Sequence, residues 1–395
     1  MTPFRQSPRD PAFVQSPWAA YDRARAAGPL VFWEEYGHAV SARHDTVSAL
    51  LRDRRFGREA PPGLLPPPPE HLAPFYAVEA HSMLEREPPV HTRLRGLVTR
   101  AFVSRRVAAM APEIAALSAR LIDAFDGPQI DLLPAWAERI PVIVIARLLG
   151  VPEEMADRLL AWSHDMVAMY QARRDRAVED AAARAATEFA DYIRAHVADR
   201  RRRPADDLIT HLIAAEENGD RLSTDELVTT CILLLNAGHE ATVHALGNGV
   251  KAVLESGRPA AGFFATEAET AATVEEILRH DPPLHMFTRY ALEPVEVAGH
   301  RFETGEVVGL LLGAANHDPA FRPEPGRFDP GLGGTGHVSF GAGLHFCVGA
   351  PLARLEMQVA LPDLFRRLPG LALARPPVYA DAYHFRRLER LEVRA

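Results

Sequence analysis

Phe340-Gly341-Ala342-Gly343-Leu344-His345-Phe346-Cys347-Val348-Gly349-Ala350 is the stretch on which the reading of this chain turns. Gly341, Gly343 and Gly349 predict a tight loop whose backbone passes close to a flat or bulky object. Pro351 follows where the first turn of a helix tolerates proline. Cys347 therefore stands just before a helix N-terminus, where free amides and the helix dipole favour thiolate over thiol. A thiolate on a glycine-rich loop is a suitable soft ligand for iron. A lone cysteine is more often a small buried hydrophobe, the reading that fits Cys231 in its apolar helical run. Cys347 differs because glycines and a histidine surround it. A cysteine nucleophile would need a histidine or asparagine partner motif, and none is recognisable.

Outward from this loop the chain reads as mostly helical. Val90–Phe102, Pro112–Phe125, Pro141–Leu149, Ala177–Val197 and Pro351–Leu368 place apolar residues three or four apart. Ser223 and Glu226 have the spacing of a capping box, which predicts a helix from Ser223 to about Leu254. Within it, Asn236-Ala237-Gly238-His239-Glu240-Ala241-Thr242 puts a glycine, an acid and a hydroxyl into a buried helix. That costs stability unless something is bound there, or the helix kinks around a satisfied polar pair. Strands are short and few. Leu30–Glu34 with His38–Ala42 predicts a hairpin across Tyr36-Gly37, and Val295–Val297, His300–Phe302 and Val307–Leu312 form a second group. The prolines of Ala60–Pro69 forbid helix or central strand there. The sum is a mostly α fold with small β-sheets and no polar linker, so residues 1–395 are expected to form a single domain.

Composition narrows the function. The 395 residues are 47% hydrophobic and 24% charged, in the globular range. A net charge of −8 argues against a dedicated nucleic-acid binder. Two cysteines cannot make a disulfide scaffold. The N-terminus carries no apolar signal core. Ile140–Leu149 and Val307–Ala315 fall short of the ~20 residues that span a bilayer. A cytoplasmic protein without a nucleic-acid or membrane partner is expected.

The motifs, taken together, resemble those of the cytochrome P-450 superfamily of haem-thiolate monooxygenases in its soluble bacterial form. Phe340, Gly343, Cys347 and Gly349 match its F-x-x-G-x-x-x-C-x-G loop, and Glu276-Ile277-Leu278-Arg279 matches E-x-x-R. Ala237-Gly238-His239-Glu240 matches the start of the oxygen-binding motif. Glu87 to Arg95 looks like the entry to the family's C-helix, while Asn316-His317-Asp318-Pro319 and Arg327-Phe328 look like the meander.

The resemblance implies a P-450 fold with haem b between the central oxygen-binding helix and the cysteine-loop helix, Cys347 being the axial ligand. It implies insertion of one oxygen atom from dioxygen into a lipophilic small molecule, in secondary metabolism, with electrons from a ferredoxin and ferredoxin reductase. His91, Arg95, Arg289 and His345 would meet the propionates; Ala237, Phe340, Gly341 and Gly349 would adjoin the ring. Glu276 and Arg279 would hold the meander through Arg327, as structural support. Substrate contacts would include Met83, Met166, Met169, Leu233, Leu234, Leu284, Met286, Phe287 and Phe385. His285 and Arg173 or Arg174 are candidates for a polar substrate group, and Arg100, Arg105 and Arg106 for a redox-partner dock.

One departure concerns catalysis. Gly238, Glu240, Ala241 and Thr242 occupy the oxygen-activating turn, but Ala241 stands where family members commonly have threonine. Thr242, one residue on, is turned by ~100°. Either the helix is bulged, or protons arrive through water and Glu240, or a substrate hydroxyl supplies the missing group. Ala241 also keeps open a peroxide-driven or non-oxygenating enzyme. A haem sensor or ligand carrier is the reading from another class.

Overall fold

The structure is a computed structural model that describes residues 1–395 except 103, 172–173, 216–218, 334 and 395, and the side chains of residues 104 and 105. Its long helices follow the apolar periodicity closely. They are α1 (Val90–Ala101), α2 (Ala111–Asp123), α3 (Arg139–Leu149), α4 (Ala156–Val167), α5 (Arg176–Arg202), α6 (Thr224–Glu255), α7 (Glu267–His280) and α8 (Ala350–Arg367).

Helix α6 begins as its sequence predicts. Ser223 N–H donates to Glu226 Oε2 at 2.8 Å and Glu226 N–H to Ser223 Oγ at 3.2 Å, so two orphan amides are satisfied reciprocally. The helix then passes through the molecule in contact with α3, α4, α5, α7 and α8. Apolar side chains around most of its circumference explain why it is buried on nearly every side. Its close approach to α7 depends on Gly249, where a Cβ would come within 3.0 Å of Ile277. Residues 236–242 remain α-helix, so the bulge anticipated there is not present.

The main sheet is built from β1 (Thr2–Phe4), β2 (Val31–Trp33), β3 (His38–Ser41), β4 (Phe56–Gly57), β5 (Met286–Ala291) and β6 (Val307–Leu311). Its order is β1-β2-β3-β6-β5-β4. The β2–β3 hairpin forms as expected, with Val31 opposite Val40. The second predicted group divides. Val295–Val297 and His300–Phe302 pair with each other, whereas β6 joins the large sheet between β3 and β5. Residues 60–69 form no helix or strand. The largest core cluster lies among the helices around Trp136, Phe189 and Leu235, and two smaller ones cover the sheet. Among the described residues, no helix is long and apolar enough to cross a membrane.

Candidate active site

The cysteine loop is held from both ends. Cys347 N–H donates to Phe340 O at 3.0 Å, closing the loop, and Gly349 caps α8. Gly343 is demanded twice: its φ is +67°, and a Cβ would sit 2.5 Å from Leu51 O. Phe340 is clamped by the Arg354 guanidinium, 4.5 Å from its ring centre. Cys347 as a residue is half-buried, while its thiol lies deep in the protein. Burial pushes its thiol up, and the amides of Gly349 and Ala350 with Arg95 pull against that without prevailing. The helix start alone does not make a thiolate here, contrary to the expectation from sequence; coordination to a metal would complete the deprotonation.

Behind the loop stands a buried ion-pair network. Arg279 Nε and Nη2 donate to the two oxygens of Glu276 at 2.8 and 2.9 Å. The third member is Arg322, whose Nη2 donates to Glu276 Oε2 at 3.2 Å and to Asp329 O at 2.8 Å. Arg327 does not fill the part assigned to it. Its side chain is exposed and pairs with Glu324 and Asp329, while its carbonyl accepts from Arg279. Arg322 is one turn inside the meander and Arg327 at its rim, a difference only the fold decides. Asn316 and Ser339 extend the network toward Phe340, through Asn316 Nδ2 to Ser339 Oγ at 2.8 Å and Ser339 Oγ to Leu278 O at 2.7 Å.

A cationic cradle gathers around the other side. His91 and His345 rings lie 4.4 Å apart, and His345 Nε2 is 2.9 Å from Glu87 Oε1. His91 Nδ1 is buried without a partner. Burial first, then His345 and Arg95, hold its pKa down to about 4. Gly57 pairs with Tyr290 across β4 and β5, which brings Arg58 up to Arg289. Among the described residues Arg289 donates only to Thr288 O, and burial with the Arg58 charge lowers it to about 9. Among the described residues neither Arg95 nor Arg289 has a carboxylate at ion-pair distance. The half-buried Arg95, the buried Arg289 and an unpartnered imidazole beside a deep thiol call for anions, and haem propionates suit them. The donor set therefore fits a haem.

On α6 the accessible residues fall on a stripe. Ala237 is exposed, Leu233 and Ala241 a turn to either side are partly open, and so are Asn236 and Gly238 beside Ala237, whereas Leu234, Leu235, His239 and Glu240 are buried. A Cβ added to Gly238 would meet Ile145 of α3 at 4.0 Å. Glu240 and Thr242 lie off the stripe and are buried. Glu240 Oε1 is 3.2 Å from His164 Nε2 on α4, and Oε2 is 3.2 Å from His244 Nε2. Burial would raise the Glu240 carboxyl, but His244, His239 and His164 hold it at about 2.

The apolar candidates divide. Leu284 and Phe385 face each other through a β-bridge, Phe385 reaches the His244 ring at 6.2 Å, and Phe287 lies against Gly341. Met83, Met166, Met169 and Leu234 are buried in the helical core, where Met166 Sδ accepts from Asn236. Met286 points to the opposite face of β5 from Phe287. It packs beneath Gly309 among Trp33 and Tyr383, so it is core, not a substrate contact. His285 is likewise taken, bonded to Tyr21 Oη at 2.8 Å. Arg174 pairs with Glu179 at the surface, and Arg173 lies outside the described residues. Sequence reasoning missed Arg58, Arg322, His164 and His244, and met His239 only as a member of the oxygen-binding motif. Of these, only the i, i+4 spacing of Glu240 and His244 was visible beforehand.

Comparisons with known proteins agree with this geometry. The family described as cytochrome P-450 matches residues 270–369. The polyketide biosynthesis cytochrome PksS of Bacillus subtilis is 34% identical, over 94% of this chain and 93% of its own length. The 6-deoxyerythronolide B hydroxylase of Saccharopolyspora erythraea is 38% identical, over 82% of this chain and 80% of its own. The crystal structure of P-450BioI, in complex with hexadec-9Z-enoic acid ligated acyl carrier protein, superposes with a TM-score of 0.91. It is 32% identical and the match covers 97% of this chain and 99% of that one. With the loop, the ion-pair network and the cradle in place, the chain belongs to the cytochrome P-450 family and is a haem-thiolate monooxygenase.

Proposed function

We propose that this enzyme inserts one oxygen atom from dioxygen into a lipophilic, hydroxyl-bearing molecule of the polyketide kind, and that the substrate's own hydroxyl takes part in proton delivery. The observation that carries this reading is the open stripe Leu233, Ala237 and Ala241, which offers no hydroxyl. Thr242 is buried off the stripe and cannot replace one. Cys347 would be the haem ligand, with Arg95, Arg289, His91 and His345 holding the propionates. When bound, the haem supplies the activation of dioxygen. The chain's own part is to exclude water with Phe287, Leu284 and Phe385, and to hold Glu240 among its imidazole neighbours as a carboxylate that can relay a proton. From Glu240 a proton crosses to the stripe only through a water or a substrate hydroxyl. The names of PksS and the 6-deoxyerythronolide B hydroxylase support a polyketide substrate.

The test is a titration of the ferric absorption spectrum with hydroxylated macrolactones, fatty acids, terpenoids and small aromatics. A low-spin to high-spin change confined to hydroxyl-bearing ligands is expected. An equal change with ligands lacking hydroxyls overturns substrate-assisted delivery and leaves water and Glu240. Ala241 also favours one second reading, a peroxide-driven enzyme; peroxide turnover outrunning ferredoxin-supported turnover would establish it.

Electrons are proposed to come from a cytoplasmic ferredoxin and its reductase. Arg100, within the expected dock, is exposed at the end of α1. Arg106 is held by Asp206 at 3.5 Å, and the Arg105 side chain lies outside the described residues. Arg100→Glu is expected to slow reduction and flatten its salt dependence.

A further inference from the structure

We propose that His164, His239 and Glu240 form a binding site for one divalent transition-metal ion of the zinc class, at the contact of α4 with α6 and distinct from the cysteine loop. One ligand atom from each residue lies within 4.8 Å of the others. A tetrahedral zinc ion with bonds of ~2.0–2.2 Å sets its ligand atoms about 3.4 Å apart. The His164–Glu240 pair already stands at 3.2 Å, so only the His239 ring has to close in.

The second observation is His239 itself. It is 0% exposed and, among the described residues, neither ring nitrogen has a hydrogen-bond partner. A buried, unpaired imidazole in the middle of a core helix costs free energy with no return within the protein. A metal ion is the partner that its two neighbours can share. His244 Nε2 lies 3.2 Å from the second oxygen of Glu240, where it can steer the carboxylate as outer-shell partners do. Glu138 adds negative charge toward His164 and Glu240. Two imidazoles and one carboxylate suit zinc, cobalt or nickel, whereas calcium and magnesium prefer all-oxygen sites. The partly open His164 gives the ion a way in from solvent. A filled site would withdraw Glu240 from proton delivery, a consequence that rests on the function proposed above; binding itself does not.

The experiment uses tag-free, chelator-treated holoenzyme dialysed against buffered zinc chloride, with zinc and iron counted per chain. One zinc beside one iron is expected. His239→Ala and His164→Ala should each weaken zinc binding by more than the ~10–100-fold lost with an outer-shell partner. His239→Gln keeps the shape of the side chain and should lose zinc equally. The ferrous carbonyl spectrum confirms that each variant still folds around haem, and His300→Ala serves as the surface-histidine control. No stoichiometric zinc, or zinc binding unmoved by both the His239 and His164 variants, overturns the site. Zinc bound but product yield per electron unchanged supports the site and overturns the proton role of Glu240.

Discussion

Glu276 and Glu240 are both buried carboxylates on long helices, and they are surrounded in opposite ways. Glu276 accepts from Arg279, Arg322 and the amide of Asp329. Planar guanidiniums donate to it in a fixed geometry, so this network holds the meander behind the cysteine loop rigidly. Glu240 is ringed by His164, His239 and His244, side chains that titrate and also ligate metals. Fixed charges suit a buttress. Titratable neighbours suit a place where protons or ions come and go. A buried acid is thus informative about function only through the kind of cation that faces it.

The largest effect should come from breaking the buttress. Glu276→Ala leaves two guanidiniums buried without their counter-ion, which costs about 3–5 kcal/mol. The expected outcome is loss of the thiolate-type carbonyl spectrum and a lower urea midpoint. Arg322→Ala should follow it, whereas Arg327→Ala should stay near wild type; equal effects would return Arg327 to the network. Gly343→Ala comes next. It forces a side chain into the left-handed region and against Leu51 O, at a cost of at least ~1–3 kcal/mol, read as reduced haem content.

A pH series sharpens the comparison from the buttress side. Burial would raise Glu275, but its contacts with His337 and Arg354 hold the carboxyl at about 2. A folded pKa below the unfolded one of 4.5 contributes stability that is complete above pH 4.5 and lost as pH falls toward 2. Glu275→Gln should therefore be less stable than wild type at pH 7 by about 1–2 kcal/mol, and the gap should shrink between pH 5 and 3. A gap that is constant with pH would assign the loss to packing.

The smallest stability effect, at most ~0.7 kcal/mol, is expected for Ala241→Thr, since a β-branched residue costs little in a helix. Its signature is catalytic. A hydroxyl restored to the open stripe should change the yield of product per electron, and more for substrates lacking a hydroxyl than for those bearing one. Unchanged yield with an authentic substrate would remove this position from proton delivery.

Much of the fold could be read from local chemistry. The apolar periods of α1 to α8, the Ser223–Glu226 capping box and the β2–β3 hairpin involve residues close in the chain, whose preferences act before any tertiary contact forms. The cysteine loop was legible for the same reason, since its glycines and proline constrain the backbone where they stand. The rest depended on contacts between distant segments. Arg58 reaches Arg289 only through the β4–β5 register, and one residue along β5 separates Phe287 at the cysteine loop from Met286 in the core. Arg322 displaces Arg327 because the meander folds inward at one and outward at the other. The imidazoles around Glu240 come from two helices whose crossing no local pattern records. Sequence by itself determined which helices and which loop would form, because those are short-range preferences. Tertiary structure alone decided which charges would be buried together, because burial and ion pairing depend on whichever distant side chains packing brings within a few ångströms.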